Sequence, residues 1–338
     1  MPETAFPTDE EDEPRAQSVR SPGGAPGQSL DENVSYDTGP DRWDPRRLHS
    51  GRGLMDSLRR GWAFVKEALA MALRDKDLLV PSTIAVFANL IVIAGLGGIL
   101  HLTGDLGAVT SDDEAMSTAG YATLVVATLI MYIISYFFTG MTVRLIDVHL
   151  RGEDAKLGNA FTDVMKHAGG ILSLAVASLV VSLIAGAVRG RSRGGMRRAA
   201  ADTMQRGWMA ITYLLLPVMI LEDTSFMKST GRAKSLHAHN VIQIVVGELG
   251  LMIGARVIGA VIISIAVIIA FVSFYAAPAL LPIGVGVALL LIVLATAFNA
   301  YVRTAFYTCL YLWAVAMETV GEQAPAPAPL RTAFAVAS

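Results

Sequence analysis

The stretch LLVPSTIAVFANLIVIAGLGGIL at residues 78–100 runs for 23 residues without Asp, Glu, Lys, Arg or His. A helix needs about 20 apolar residues to cross the hydrocarbon core of a bilayer. Five later stretches are also free of charge, at residues 121–143, 168–188, 207–221, 257–275 and 283–302. Water-soluble folds of this length rarely show such a pattern. The sequence therefore predicts an all-α, polytopic transmembrane helix bundle of about six spans, surrounded by the lipid bilayer.

The composition agrees with a membrane protein. Hydrophobic residues make up 53% of the 338 and charged residues 17%, and the mean hydropathy is +0.51. The net charge of −2 conceals an uneven distribution, because residues 1–50 carry eleven acidic and five basic side chains. This segment is rich in Pro, Gly and Ser and lacks aliphatic clusters, so it cannot bury enough surface to fold. We expect residues 1–50 to form a disordered acidic cytoplasmic tail.

Two further segments flank the predicted bundle, which covers residues 78–317. Residues 51–77 are predicted to form a cytoplasmic amphipathic helix. The Ala-Pro repeat at residues 324–329 favours an extended polyproline conformation, so we expect residues 318–338 to be disordered. The N-terminus also lacks the basic start, short apolar run and cleavage site of a signal peptide.

The distribution of Lys and Arg predicts the orientation, because basic residues near span ends tend to stay in the cytoplasm. Six bases lie between residue 52 and the first span, whereas the loop between the first two spans has four acids and no base. The N-terminus is therefore expected inside, and six spans return the C-terminus to the same side. Arg outnumbers Lys 21 to 6, and Ala and Gly are abundant, which favours a prokaryotic plasma membrane.

An Arg-rich segment at residues 189–206 conflicts with this orientation, because it faces outward if the third and fourth runs both span. The uncharged part of the fourth run, 15 residues, also covers only about 22 Å of a core of about 30 Å. Either the fourth helix starts near Ala199, with Asp202 and Arg206 paired at i, i+4 spacing and a span near 202–221, or both runs dip in and return. We favour six spans. Cytoplasmic arginines here could attract anionic lipids, whereas the segment lacks the aromatic residues of a nucleic-acid site.

Several motifs resemble a known family. They are GW at 61–62, RDKDLL at 74–79, LGNA at 157–160, LPV at 216–218 and LED at 221–223. In this order they resemble an uncharacterised family of prokaryotic multi-pass membrane proteins, classed only as a domain of unknown function. The resemblance covers roughly residues 58–317. It implies a six-helix membrane bundle and carries no assigned activity, catalytic residue or cofactor.

The segment that begins at Pro217 is the best candidate site. Pro217 removes a backbone donor, and Glu222 and Asp223 close the fourth run at the interface. A freed carbonyl beside two carboxylates could bind a cation or a partner's basic residue. Alternatively, Pro217 only kinks the helix, and Glu222 and Asp223 cap the next one. Glu248 interrupts the apolar stretch that follows and is a further candidate for a functional or partner-binding residue.

Arg256 and Arg303 border the last two spans at the same predicted boundary. Long basic side chains at that depth extend to the lipid headgroups, so we interpret both as membrane anchors.

No catalytic, cofactor or metal site is predicted. Four histidines, at positions 149, 167, 237 and 239, fall in one predicted layer, but the spacing of the last two is wrong for one ion on a helix. The only cysteine, Cys309, lies among apolar neighbours. These observations favour a non-enzymatic membrane scaffold or adaptor that organises lipid or a protein complex. The alternative is a passive channel or small-molecule exporter. The spacing of Gly250 and Gly254 suits close helix packing, either inside the bundle or across a dimer, and the predicted partners are a second copy of the chain or another membrane protein.

Overall fold

The computed structural model describes residues 54–110, 116–190, 195–232, 259–275, 278–321 and 324–335. All regular elements within these ranges are helices, which confirms the predicted all-α class. The helices are α1 (Leu54–Arg74), α2 (Val80–Thr103), α3 (Leu106–Thr110), α4 (Thr118–Leu150), α5 (Leu157–Lys166), α6 (Ala168–Gly190), α7 (Gly195–Leu221), α8 (Gly259–Tyr275), α9 (Leu281–Val320) and α10 (Ala328–Ala335). Short 3-10 turns at Lys76–Leu78 and Pro278–Leu280 lead into α2 and α9.

Five of the described helices, α2, α4, α6, α7 and α9, are long and apolar enough to cross a membrane. Many of their large apolar side chains point away from the protein, such as Ile91 at 73% and Leu102 at 86% exposure. Lipid tails are as apolar as these side chains, so this outward surface suits a bilayer. The protein is therefore embedded in a membrane.

The buried core lies at one end of the bundle, which we call the packed end. Here the C-terminal halves of α4, α7 and α9 meet α1 and the first turns of α6. Phe64 of α1 packs edge-to-face on Phe306 of α9, with ring centroids 5.4 Å apart. The hydroxyl of Tyr301 donates to the Ala68 carbonyl at 3.1 Å. Helix α9 extends 18 residues beyond its uncharged run, and this extension supplies much of the core.

Helices α6 and α7 form a hairpin on either side of the Arg-rich segment, and both are long and apolar enough to cross a membrane. Tyr136 and Tyr132 of α4 bond to Ser178 and Ser182 of α6 at 2.7 and 2.5 Å, so α6 runs antiparallel to α4 and away from the packed end. The fourth helix starts well before its uncharged run, at Gly195. The expected pairing of Asp202 within α7 was wrong, because Arg189 of α6 reaches across the hairpin and binds it at 2.6 Å.

The connections require one more crossing after α7. Helix α7 ends at the packed end, and α9 also finishes there after 40 residues. The chain between them must therefore return to the opposite end. Helix α8 has 17 described residues, or about 26 Å, and would make this crossing. A Cβ on Gly284 of α9 would overlap Ser273 of α8, so these helices pack closely near the turn that joins them.

The C-terminal segment differs from its prediction. Residues 318–338 were expected to be disordered, which is wrong over the end of α9 and over α10. The Trp313 indole N–H donates to the Ala324 carbonyl at 3.3 Å, and Leu330 is buried in the packed end. The Ala-Pro stretch is compatible with this packing because Pro329 falls in the first turn of α10, where a missing N–H costs nothing. The acidic tail at residues 1–50 lies outside the described residues.

Candidate functional site

The predicted candidate segment forms a tight turn at the packed end. Pro217 is buried inside α7, which continues to Leu221. Asp223 then adopts a left-handed backbone conformation with φ of 52°, and the chain enters a helix whose described part is residues 226–232. The Thr224 and Ser229 hydroxyls, 2.7 Å apart, hold the turn. The turn thus places the segment 226–232 beside the end of α9.

Glu222 belongs to an ionic cluster that joins the segment 226–232 to α9. We call Glu222, Arg232, Tyr311 and Glu318 the Arg232 cluster. The Glu222 Oε1 accepts from the Arg232 Nε at 3.1 Å and from the Tyr311 hydroxyl at 2.9 Å. Arg232 also donates through both terminal nitrogens to Glu318, one of them at 3.0 Å. The bonds to Glu318 and then to Glu222 raise the pKa of Arg232 above its usual value. The basic residue that binds Glu222 is therefore Arg232 of the same chain, not a residue of a partner protein.

Asp223 and the histidines do not come together as a metal site. Asp223 is 88% exposed, and its Oδ1 lies 3.4 Å from the Nε2 of His167. His149 faces a different carboxylate, with its Nδ1 3.4 Å from Asp75 Oδ2. The described residues contain no group of three His, Cys, Asp or Glu side chains that could hold a metal ion. The other predicted residues, Glu248, Arg256, His237 and His239, lie outside the described residues.

Arg303 lies against an aromatic side chain in the bundle. Its guanidinium carbon is 5.5 Å from the centre of the Tyr213 ring, and Tyr213 stacks on Tyr307 at 5.2 Å. A cation over an aromatic face is attracted by the ring quadrupole. This arginine therefore holds α9 against α7, and its role as a membrane anchor stays a prediction.

A second charged cluster was missed by sequence reasoning. Asp147 is 1% exposed and accepts from Arg144 Nη1 at 3.2 Å and from Arg151 Nε at 3.1 Å. The Nε of Arg144 also donates to Asp163 of α5 at 3.1 Å, and Lys166 donates to the same carboxylate at 2.8 Å. The Lys166 bond, helped by Arg144, lowers the pKa of Asp163. Arg144 is therefore fixed between two helices.

This cluster forms one wall of a cleft of about 390 Å³ between the end of α4 and α5, which we call the α4–α5 cleft. Its polar lining includes Arg144, Glu153, Asp154, Lys156, Asn159 and Asp163. Charged residues of both signs follow the second predicted span in the sequence. The acids among them carried the signal for a site.

Residues 118–321, which run from the start of α4 to the end of α9, match a family described as a family of unknown function (DUF6159). The match includes both charged clusters and the α4–α5 cleft, whereas α1 and α2 precede it. No curated protein and no solved structure matches the chain.

Proposed function

The chain belongs to the DUF6159 family of unknown function, and we propose that it is a non-enzymatic membrane scaffold or adaptor that organises lipid or a protein complex. The observation that carries this proposal is the packed end. Two membrane helices, α4 and α9, continue past their apolar runs there and, together with α1 and α5, form a folded layer whose surface bears the charged α4–α5 cleft. A folded, charged surface beside the bilayer is what docking requires.

The contacts of the packed end support a fixed surface. The Arg232 cluster connects residues separated by 86 positions in the chain, and Arg144 joins α4 to α5. Hydrogen bonds to charged groups are roughly twice as strong as neutral ones. A surface held in this way keeps one shape for a partner or a lipid.

The polar residues of the spans favour a scaffold over a channel. Tyr136 of α4 and Trp208 of α7 both bond to the Ser178 hydroxyl of α6, at 2.7 and 2.9 Å, and so join three helices. Hydroxyls elsewhere in the spans, such as that of Thr128, bond to carbonyls of their own helix. Polar groups that bond to other helices or to their own backbone hold the bundle together and are not available to line a hydrated pathway.

We place the packed end in the cytoplasm of a prokaryotic plasma membrane. The bases that precede α2, together with the acidic loop after it, support this orientation. The Arg-rich segment then faces outward, and pairing of Arg189 with Asp202 offsets part of its charge.

Solute flux in proteoliposomes tests the proposal. A scaffold leaves the leakage of small ions and metabolites at the level of empty liposomes, and detergent-free extraction into polymer nanodiscs recovers it with a stoichiometric protein or an enriched lipid. Leakage well above empty liposomes would establish the alternative, a passive channel or exporter.

A further inference from the structure

We propose that the α4–α5 cleft binds the headgroup of a phospholipid that carries a primary amine, with its phosphate against Arg144 and Lys156 and its ammonium against Glu153. This inference rests on the proposed scaffold function and names the lipid that the scaffold would organise.

The cleft lies at the depth of the lipid headgroups. Arg144 is the first residue after the uncharged run at 121–143, so α4 leaves the hydrocarbon core at this point. Helix α5 packs on the last turns of that run, with Val164 beside Gly140 and the Phe161 ring 5.3 Å from the Phe137 ring. Helix α5 therefore lies at the boundary between the acyl chains and the headgroups.

The exposed side of α5 suits contact with acyl chains. Phe161 and Met165, one turn apart, are each 49% exposed, whereas Ala160 and Val164 are buried in the packed end. An amphipathic helix with apolar residues on its outer side lies in the plane of the interface.

Two cations in the cleft can bind a phosphate. Arg144 uses two of its five N–H groups to bind Asp147 and Asp163. Its side chain is 34% exposed, so the other N–H groups can reach a ligand. Lys156 is 67% exposed, and its Nζ lies 3.7 Å from Asp154, a long ion pair that a phosphate can replace. Arg and Lys both bind phosphate, and an arginine already oriented by carboxylates loses little freedom on binding.

The acids of the cleft select for an amine. Glu153, Asp154 and Asp163 line the cleft with Arg144 and Lys156, and Lys166 pairs with Asp163, so the acids and bases here balance. Glu153 is exposed and makes no ion pair within the described residues. A headgroup without a donor leaves the Glu153 carboxylate without a partner, whereas a primary ammonium donates hydrogen bonds to it. A volume of about 390 Å³ is within the range of ligand sites, about 300–1,000 Å³.

The test is native mass spectrometry of the full-length protein in micelles that contain equal amounts of phosphatidylethanolamine, phosphatidylcholine and phosphatidylglycerol with the same acyl chains. We expect phosphatidylethanolamine to be retained most. Glu153→Gln should reduce its preference over phosphatidylcholine by about tenfold, the equivalent of one hydrogen bond to a charged group. Lys156→Gln should lower retention of all three lipids. Glu67→Gln in α1, outside the cleft, is the matched control and should change nothing.

Equal retention of the three lipids, a preference for phosphatidylglycerol, or the same lipid pattern in Glu153→Gln as in Glu67→Gln would overturn the assignment. Displacement of the bound lipid by free phosphoethanolamine at micromolar concentration would show that the cleft takes a soluble ligand, and would also overturn it. The flux assay is independent. If the protein shows no preference among the lipids and solute leakage stays at background, only the lipid site is rejected. If the preference for phosphatidylethanolamine is present and leakage is strong, only the scaffold function is rejected.

Discussion

Replacing Arg232 with Gln tests whether the turn after α7 is tied to the end of α9. The substitution removes the hydrogen bonds to Glu222 and Glu318 and leaves two carboxylates facing each other. Exposed ion pairs contribute about 0.2–1 kcal/mol, whereas removing one partner of a fully buried pair costs about 3–5 kcal/mol. Arg232 is 34% exposed and bonds two acids, which places it between these limits. We expect the free energy of unfolding to fall by about 2 kcal/mol.

The assay is thermal unfolding in detergent micelles, followed through the fluorescence of the four tryptophans. A loss of about 2 kcal/mol lowers the midpoint by about 4–8 °C for a domain of this size. Arg232→Lys keeps the charge without the planar fork and should recover part of the loss. Arg198→Gln, an exposed arginine at the opposite end, is the matched control. Equal midpoints for Arg232→Gln and Arg198→Gln would refute the role of the Arg232 cluster.

Three other substitutions test separate parts of the fold. Leu330→Ala should cost about 2–4 kcal/mol because this side chain is 1% exposed, and should speed proteolysis of the C-terminal segment; an unchanged rate would show that α10 does not pack. Gly284→Ala should lower the free energy of unfolding by about 1–3 kcal/mol through overlap with Ser273, and adding Ser273→Gly should restore most of that loss. If the effects of the two substitutions simply add in the double mutant, the two residues are not in contact and α8 does not pack on α9. Lys166 lowers the pKa of Asp163, so this carboxylate stabilises the protein above about pH 4 and loses that effect as the pH falls further. Asp163→Asn should therefore make the free energy of unfolding less dependent on pH below about pH 4. An unchanged pH profile would contradict this.

The membrane helices could be predicted from the sequence because a charge-free run of sufficient length is a local signal. Helices α4 and α6 contain the runs that predicted them, and α2 begins two residues into its run. The runs did not give the lengths of the helices, since α4 and α9 continue past a charged residue without a breaking residue. That continuation creates the packed end, where the candidate sites lie.

The charged clusters could not be predicted because their partners are distant in the chain. Arg232 binds Glu318, 86 residues away. Arg189 binds Asp202, for which helical spacing had predicted Arg206 as the partner. Local spacing predicts contacts within one helix, whereas both of these contacts depend on how two helices are placed. The same limit explains α10, because burial of Leu330 depends on a surface that α1 and α9 form together.

We expect six crossings, which would place the packed end and the Arg-rich segment on opposite sides of the membrane. Single cysteines at Asp154 of the packed end, 83% exposed, and at Met196 of the opposite end, 87% exposed, can report this in a Cys309→Ser background. An impermeant thiol reagent should label Met196→Cys in intact cells and Asp154→Cys only after lysis. Labelling of both positions only after lysis, or of both in intact cells, would put the two ends on one side and contradict the six-crossing bundle.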